Sequence, residues 1–148
     1  HEAYGEGSAP GLLDAPGGWW SMSGEDCLRR FVEAVVSRWR TYAVVLYGSR
    51  ARGDWMPWSD WDVVVVAEFG EPFLERLRAL LELACPAVEP IGYTPEEFER
   101  GLLALNPTVI SALVEGKALY GGDYLDAVRR RIKWARKGEC VWEVELAE

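Results

Sequence analysis

From Ser23 onward the chain carries two kinds of apolar pattern. Leu28, Phe31, Val32, Val35, Val36 and Trp39 recur at three- and four-residue spacing behind a polar cap and early acids, which predicts an amphipathic helix. Tyr42 to Tyr47 (YAVVLY) is β-branched and aromatic and stops at Gly48. Trp61 to Ala67 (WDVVVVA) is a nearly unbroken apolar run of the kind buried on both faces. These are two predicted central strands. Phe73, Leu74, Leu77, Leu80 and Leu81 mark one stripe of a helix over Glu71 to Leu83, and Pro86 to Tyr93 reads as a third, shorter strand. Thr94-Pro95-Glu96-Glu97 is a capping box with Pro at the first helical position, opening a helix that stops near Gly101. Asn106-Pro107 opens another that ends at Gly116. Lys117 to Tyr120 suits a short strand, and Asp123 to Lys137 a last helix closed by Gly138.

Strands interleaved with helices in this order imply an α/β fold, more closely α+β, with one small mixed sheet of three to four strands and helices packed on it. Residues 1–21 are rich in Gly, Pro, Ala and Ser without periodicity, and are expected to be a flexible extension. Met22 is a candidate natural start, although Trp19 and Trp20 offer surfaces that dock. The domain is then expected over 22–138, with a tail over 139–148. Within that tail Trp142, Val144 and Leu146 alternate with Glu143 and Glu145, so the segment is either a strand added to a sheet edge or a loose end.

Composition narrows the chemistry. The single histidine is His1, so Ser/His/Asp and Cys/His catalysis and HExxH zinc sites lack their internal imidazole. Carboxylates, cations, hydroxyls and backbone remain. A net charge of −8 argues against a general nucleic-acid surface, because that affinity rests on neutralising phosphates. Cys27, Cys85 and Cys140 are odd in number and widely spaced, which fits reduced, buried thiols in a cytoplasm better than a disulfide framework or a zinc site. No apolar run approaches the roughly 20 residues that span a bilayer. Gln is absent and Asn106 is the one Asn, a bias found in proteins of thermophiles.

The informative stretch is Gly48 to Val66, GSRARGDWMPWSDWDVVVV. Asp60 and Asp62 are two apart on a predicted strand, so both carboxylates project to one side, with α-carbons about 6.6 Å apart. Side by side they repel unless a cation lies between them. Upstream, Gly48 allows close approach of backbone to a phosphate, Ser49 supplies a hydroxyl and an N–H, and Arg50 and Arg52 add positive charge. Together these suit a triphosphate and Mg2+. No Lys-Ser or Lys-Thr follows the glycine, so this is not a P-loop. Trp55, Trp58 and Trp61 surround the acids, with packing their ordinary role and stacking on a nucleobase the functional one. Arg129-Arg130-Arg131, Lys133, Arg136 and Lys137 read as a solvated helix whose last charges complement the macrodipole, or as a phosphate-contacting patch.

A strand ending in Gly-Ser, ten residues, then Asp-x-Asp leading an apolar strand resembles the signature of the nucleotidyltransferase superfamily that includes DNA polymerase β. Gly48, Ser49, Asp60 and Asp62 match it residue for residue, and Arg50 to Gly53 with Ser59-Asp60 are similar to the minimal nucleotidyltransferases, many encoded beside a HEPN-domain protein. The likeness covers most of Met22 to Gly122. It implies a nucleotidyltransferase fold in which Gly48, Ser49, Arg50 and Arg52 bind phosphates and Asp60 and Asp62 hold Mg2+, with two metals accommodated. The family's third carboxylate would fall in the strand Pro86 to Tyr93, where the acid is Glu89 rather than the commoner Asp. The activity implied is transfer of a nucleoside monophosphate, AMP from ATP, to a hydroxyl. The acceptor implied is a tyrosine of a HEPN toxin, which gives the chain an antitoxin role. A non-catalytic nucleotide- or partner-binding module is the alternative, and a homo-oligomer is compatible with either.

Overall fold

The computed structural model describes residues 23–148. The expected extension over 1–21, Met22 and the docking of Trp19 and Trp20 lie outside the described residues.

Ser23 caps the first helix, its hydroxyl accepting the Asp26 N–H, and α1 runs Gly24–Arg38. Strand β1 (Thr41–Tyr47) follows, then a single turn of helix, α2 (Ser49–Arg52), between Gly48 and Gly53. Strand β2 (Trp61–Ala67), helix α3 (Phe73–Leu83) and strand β3 (Val88–Tyr93) form the next unit. The predicted capping box is present at Thr94 and Glu97 and opens α4 (Pro95–Leu103). Asn106 caps α5 (Pro107–Glu115), which leads to β4 (Lys117–Tyr120) and α6 (Gly122–Arg129).

The sheet order is β3-β2-β1-β4, with β1 antiparallel to both neighbours and β2 parallel to β3. This is the small mixed sheet expected. Alternation along β1 and β2 divides the core. Val44, Leu46, Val63 and Val65 face α1 and α3 with Phe31, Val35 and Leu80. Ala43, Val45, Val64 and Val66 face α4, α5 and α6 with Phe98, Leu102, Ile110 and Leu113. Because both faces are covered, β2 tolerates no polar residue from Val63 to Ala67.

Two expectations are corrected. The last helix stops at Arg129 rather than Lys137, and residues Ile132–Lys137 form β5, paired antiparallel with β6 (Trp142–Leu146). Of the alternatives open for the C-terminal segment, the strand is therefore taken, in a separate two-stranded hairpin. Cross-strand charge explains the change: Arg136 pairs with Glu143 and Lys133 with Glu145, so basic residues read as a solvated helix face are matched by acids seven and twelve residues on. Arg129 instead donates to the Leu113 and Gly116 carbonyls at 2.6 and 2.8 Å, satisfying the C-terminal end of α5.

The cysteines give the second correction. Cys27 on α1 and Cys85 after α3 are buried as expected, but they are joined in a disulfide rather than kept as thiols. Both segments pack on the same face of the sheet, which brings their α-carbons to 6.1 Å across 58 residues of sequence. Cys140 is a free thiol as expected, but it is exposed rather than buried. Among the described residues no helix is long and apolar enough to cross a membrane.

Candidate active site

The carboxyl end of β1 and the start of β2 meet at one end of the sheet. Register pairs Tyr47 with Asp62 and Asp62 with Glu89, so three adjacent strands present one residue each in a row. Asp62 shares the parity of Val64 and Val66, and Glu89 that of Ile91 and Tyr93, which directs both toward the α4–α6 side. Asp60 stands just before β2 and is exposed, while the backbone of Trp61 is fixed by its N–H donating to the Ala87 carbonyl at 2.8 Å.

Gly48 turns the chain from β1 into α2 with φ 78° and ψ −158°. A side chain there would place Cβ 2.6 Å from the Asp62 Oδ2. The residue is glycine both for its backbone conformation and for the carboxylate beside it. Ser49 begins α2, so its N–H is among those without an intrahelical acceptor.

Electrostatics bind the three acids together. Burial holds the Asp62 carboxyl above the ordinary carboxylate range, with the charges of Glu89 and Asp60 adding to it and Arg52 opposing. The charge of Asp60 raises Glu89, followed by burial and a hydrogen bond shared with Asp60. Tyr47 is pushed up to about 12, first by burial and then by Asp62. These groups sense one another, yet among the described residues no set of three or more His, Cys, Asp or Glu side chains is gathered into a metal-binding arrangement.

A family comparison adds to this geometry. The profile of the nucleotidyltransferase domain matches residues 28–118, more than half of the chain. The chain belongs to the nucleotidyltransferase-domain family. The match runs from within α1 to the middle of β4, and takes in the Gly48–Ser49 turn and all three acids. Comparison with curated proteins finds no match.

Within this nucleotidyltransferase domain the two arginines expected at the turn have other partners. The Arg50 guanidinium lies between Trp55 and Trp61, 4.4 Å from each ring centre, and donates to the Ser59 carbonyl at 3.1 and 3.3 Å. It thereby braces the loop that delivers Asp60. Arg52 pairs with Asp54 at 3.2 Å and with Glu115 at 3.0 Å. Among the described tryptophans, Trp58 is the most exposed, and Trp61 is partly buried against the α1 side.

Glu115, Tyr47 and Trp142 escaped the sequence reading. Glu115 had one local signal, for a carboxylate in the last position of a helix opposes the macrodipole and calls for compensating donors. Those donors come from residues 48, 52 and 142, which no local pattern connects.

Proposed function

We propose that this nucleotidyltransferase domain transfers AMP from ATP to a hydroxyl, with Mg2+ as its cofactor. The observation that carries the reading is the row of acids, Asp60 and Asp62 at the mouth of β2 with Glu89 in register on β3, beside a turn whose residue 48 tolerates no side chain. Hard oxygen donors that raise one another's pKa suit a hard divalent cation, so Asp60 and Asp62, with Glu89, are the residues that would hold it. When bound, Mg2+ neutralises charge on the transferring phosphoryl group.

Ser49 and the backbone after Gly48 receive the β- and γ-phosphates, Arg52 supplies positive charge, and Arg50 contributes chiefly by ordering the Trp55–Trp61 loop. Glu89 orients the acceptor hydroxyl and takes its proton as the oxygen attacks the α-phosphate. A bond to phosphorus forms on the acceptor and pyrophosphate leaves. Positioning and electrostatics carry the acceleration.

A protein hydroxyl is the acceptor class we favour. Beside Glu89 lies a groove of about 620 Å3 lined by Leu77, Leu81, Ala84 and Val88, which suits apolar side chains, and the net charge of −8 disfavours a polyanionic acceptor. By resemblance to the HEPN-paired members, the acceptor is a tyrosine of a HEPN toxin and the chain its antitoxin. A cytoplasmic setting belongs to this reading, although the Cys27–Cys85 bridge withdraws the support first drawn from free thiols. Mass spectrometry after incubation with ATP, Mg2+ and a HEPN-domain protein encoded beside it should find AMP on that partner. No added AMP would sink the antitoxin version.

The exposed edge-strand Glu89, where the family more often has Asp, favours a second reading as a non-catalytic binding module. Mg-ATP binding that is lost in Asp60→Ala and Asp62→Ala, without turnover in the unaltered chain, would select it.

A further inference from the structure

Glu115 ends α5 with its side chain only 6% exposed. A carboxylate there is satisfied only if donors gather on it, and three do, from three separate parts of the chain. The Gly48 N–H donates to Oε2 at 2.9 Å and Arg52 Nη1 to the same oxygen at 3.0 Å. The Trp142 indole N–H donates to Oε1 at 2.9 Å. The donors belong to the glycine turn, to the helical turn after it, and to the C-terminal hairpin.

This arrangement fixes directions. Glu115 holds the peptide before Gly48 through its N–H, the Ala51 and Arg52 N–H groups hold the peptide after it through the Gly48 carbonyl at 3.0 Å, and the Ser49 N–H and hydroxyl are what the turn has left to offer. Arg52 is likewise held on one edge of its guanidinium. We infer that Glu115 is a positioning residue for nucleotide binding, and that Trp142 makes the β5–β6 hairpin a structural part of the nucleotide site. The inference rests on the nucleotidyltransferase reading given above. The rival account has the opposite sign: Glu115 competes with phosphate for Gly48 and Arg52, and its removal tightens binding.

Hydrogen-bond polarity supplies the test. Glu115→Gln keeps the shape but replaces one acceptor oxygen by an NH2 donor. The amide oxygen can serve Gly48 and Arg52 only by turning that NH2 toward the Trp142 N–H, donor against donor. Trp142→Phe removes the conflict. In calorimetric titrations of the full chain with Mg-ATP, Glu115→Ala should weaken binding by about tenfold or more and Glu115→Gln by less. Adding Trp142→Phe to Glu115→Gln should recover most of the loss. Glu145→Gln, in the same hairpin but bonded to Trp134 and Lys133, should change binding by less than about twofold.

Unchanged or tighter binding in Glu115→Ala overturns the inference, and so does a double variant that binds no better than Glu115→Gln. The Gly48 amide resonance of the ligand-free chain gives a readout without nucleotide. It should shift and exchange faster in Glu115→Ala and return in the double variant. An unmoved Gly48 amide overturns the inference whatever the nucleotide does. A wild-type chain that binds no Mg-ATP overturns instead the functional reading on which it rests.

Discussion

Replacing Gly48 by alanine separates two demands made on one residue, and Gly53 provides the comparison. Both glycines have positive φ, 78° and 92°, and they flank the same helical turn. At Gly53 an added Cβ meets nothing within 4 Å, so Gly53→Ala bears only the left-handed backbone strain, about 1 kcal/mol. At Gly48 the combination of φ 78° and ψ −158° lies in a region essentially reserved for glycine, and strain there is on the order of 1–3 kcal/mol. The new Cβ would also stand 2.6 Å from the Asp62 Oδ2. Relieving that contact adds roughly 1 kcal/mol and turns the carboxylate away. With each kcal/mol worth about 3 °C in a domain of this size, Gly53→Ala should lower the melting temperature by about 3 °C and Gly48→Ala by about 6–12 °C. Transfer activity should divide the pair further, because a displacement near 1 Å at the reacting centre is worth about a hundredfold. Gly53→Ala should retain AMP transfer, and Gly48→Ala should lose it even well below its melting temperature. Equal melts, or full activity in folded Gly48→Ala, would refute the assignment of Gly48 to the Asp62 contact.

The other predictions concern the frame around the site. Arg76, 5% exposed, donates to Glu97 at 2.5 Å and to the Glu71 and Gly92 carbonyls, so Arg76→Ala should destabilise by about 3 kcal/mol, measured by denaturant unfolding. Reducing the Cys27–Cys85 bridge frees a loop of 58 residues' separation and should lower stability by up to about 4 kcal/mol, read as a lower melting temperature in reductant. Burial alone would raise Glu97, but the Thr94 N–H and Arg76 outweigh it and its pKa is lowered; Glu71 is lowered likewise, Trp39 and Arg38 outweighing burial. Folded values below unfolded ones mean that this stability is present above the ordinary carboxylate range and is lost as pH falls through about 4.5 and below. Acid unfolding curves should show this loss, reduced in Glu97→Gln. Asp62→Asn removes a repelling charge from the acid row, so it should raise the melting temperature slightly at neutral pH without divalent cations, and abolish transfer in assays that contain Mg2+.

What was legible in the sequence is what short-range periodicity encodes. The two-residue period of β2 set Asp62 on the side opposite Val63, while Asp60, expected on the strand, stands just before it; the Thr94 and Asn106 caps marked the starts of two helices. The hairpin was hidden because Ile132 to Lys137 has too few apolar residues to reveal a period, and its reason for being a strand lies in Glu143 and Glu145. The disulfide was hidden for the same reason on a larger scale. Only the packing of α1 and α3 on one face of the sheet joins Cys27 to Cys85. Arg50 shows a different limit. Its position beside the turn was apparent, but its guanidinium is engaged by Trp55, Trp61 and the Ser59 carbonyl, a clamp that depends on how the intervening loop folds back.

The substitution of Glu for the commoner Asp at position 89 acquires a physical meaning from the register. Strand pairing sets Glu89 opposite Asp62, yet the largest influence on its ionisation is Asp60, with which it also shares a hydrogen bond. An aspartate at that place would hold its carboxylate one methylene closer to the β3 backbone, nearer the partner that register assigns. The longer side chain of glutamate extends further from β3, and Asp60, exposed just before β2, is the acid whose charge acts on it most. The third acid thus closes on the outer member of the Asp-x-Asp pair from the free edge of the sheet. Exposed at the free edge of the sheet and on the same side as Asp62, it stands where an acid must be if its task is to meet a hydroxyl delivered by another protein.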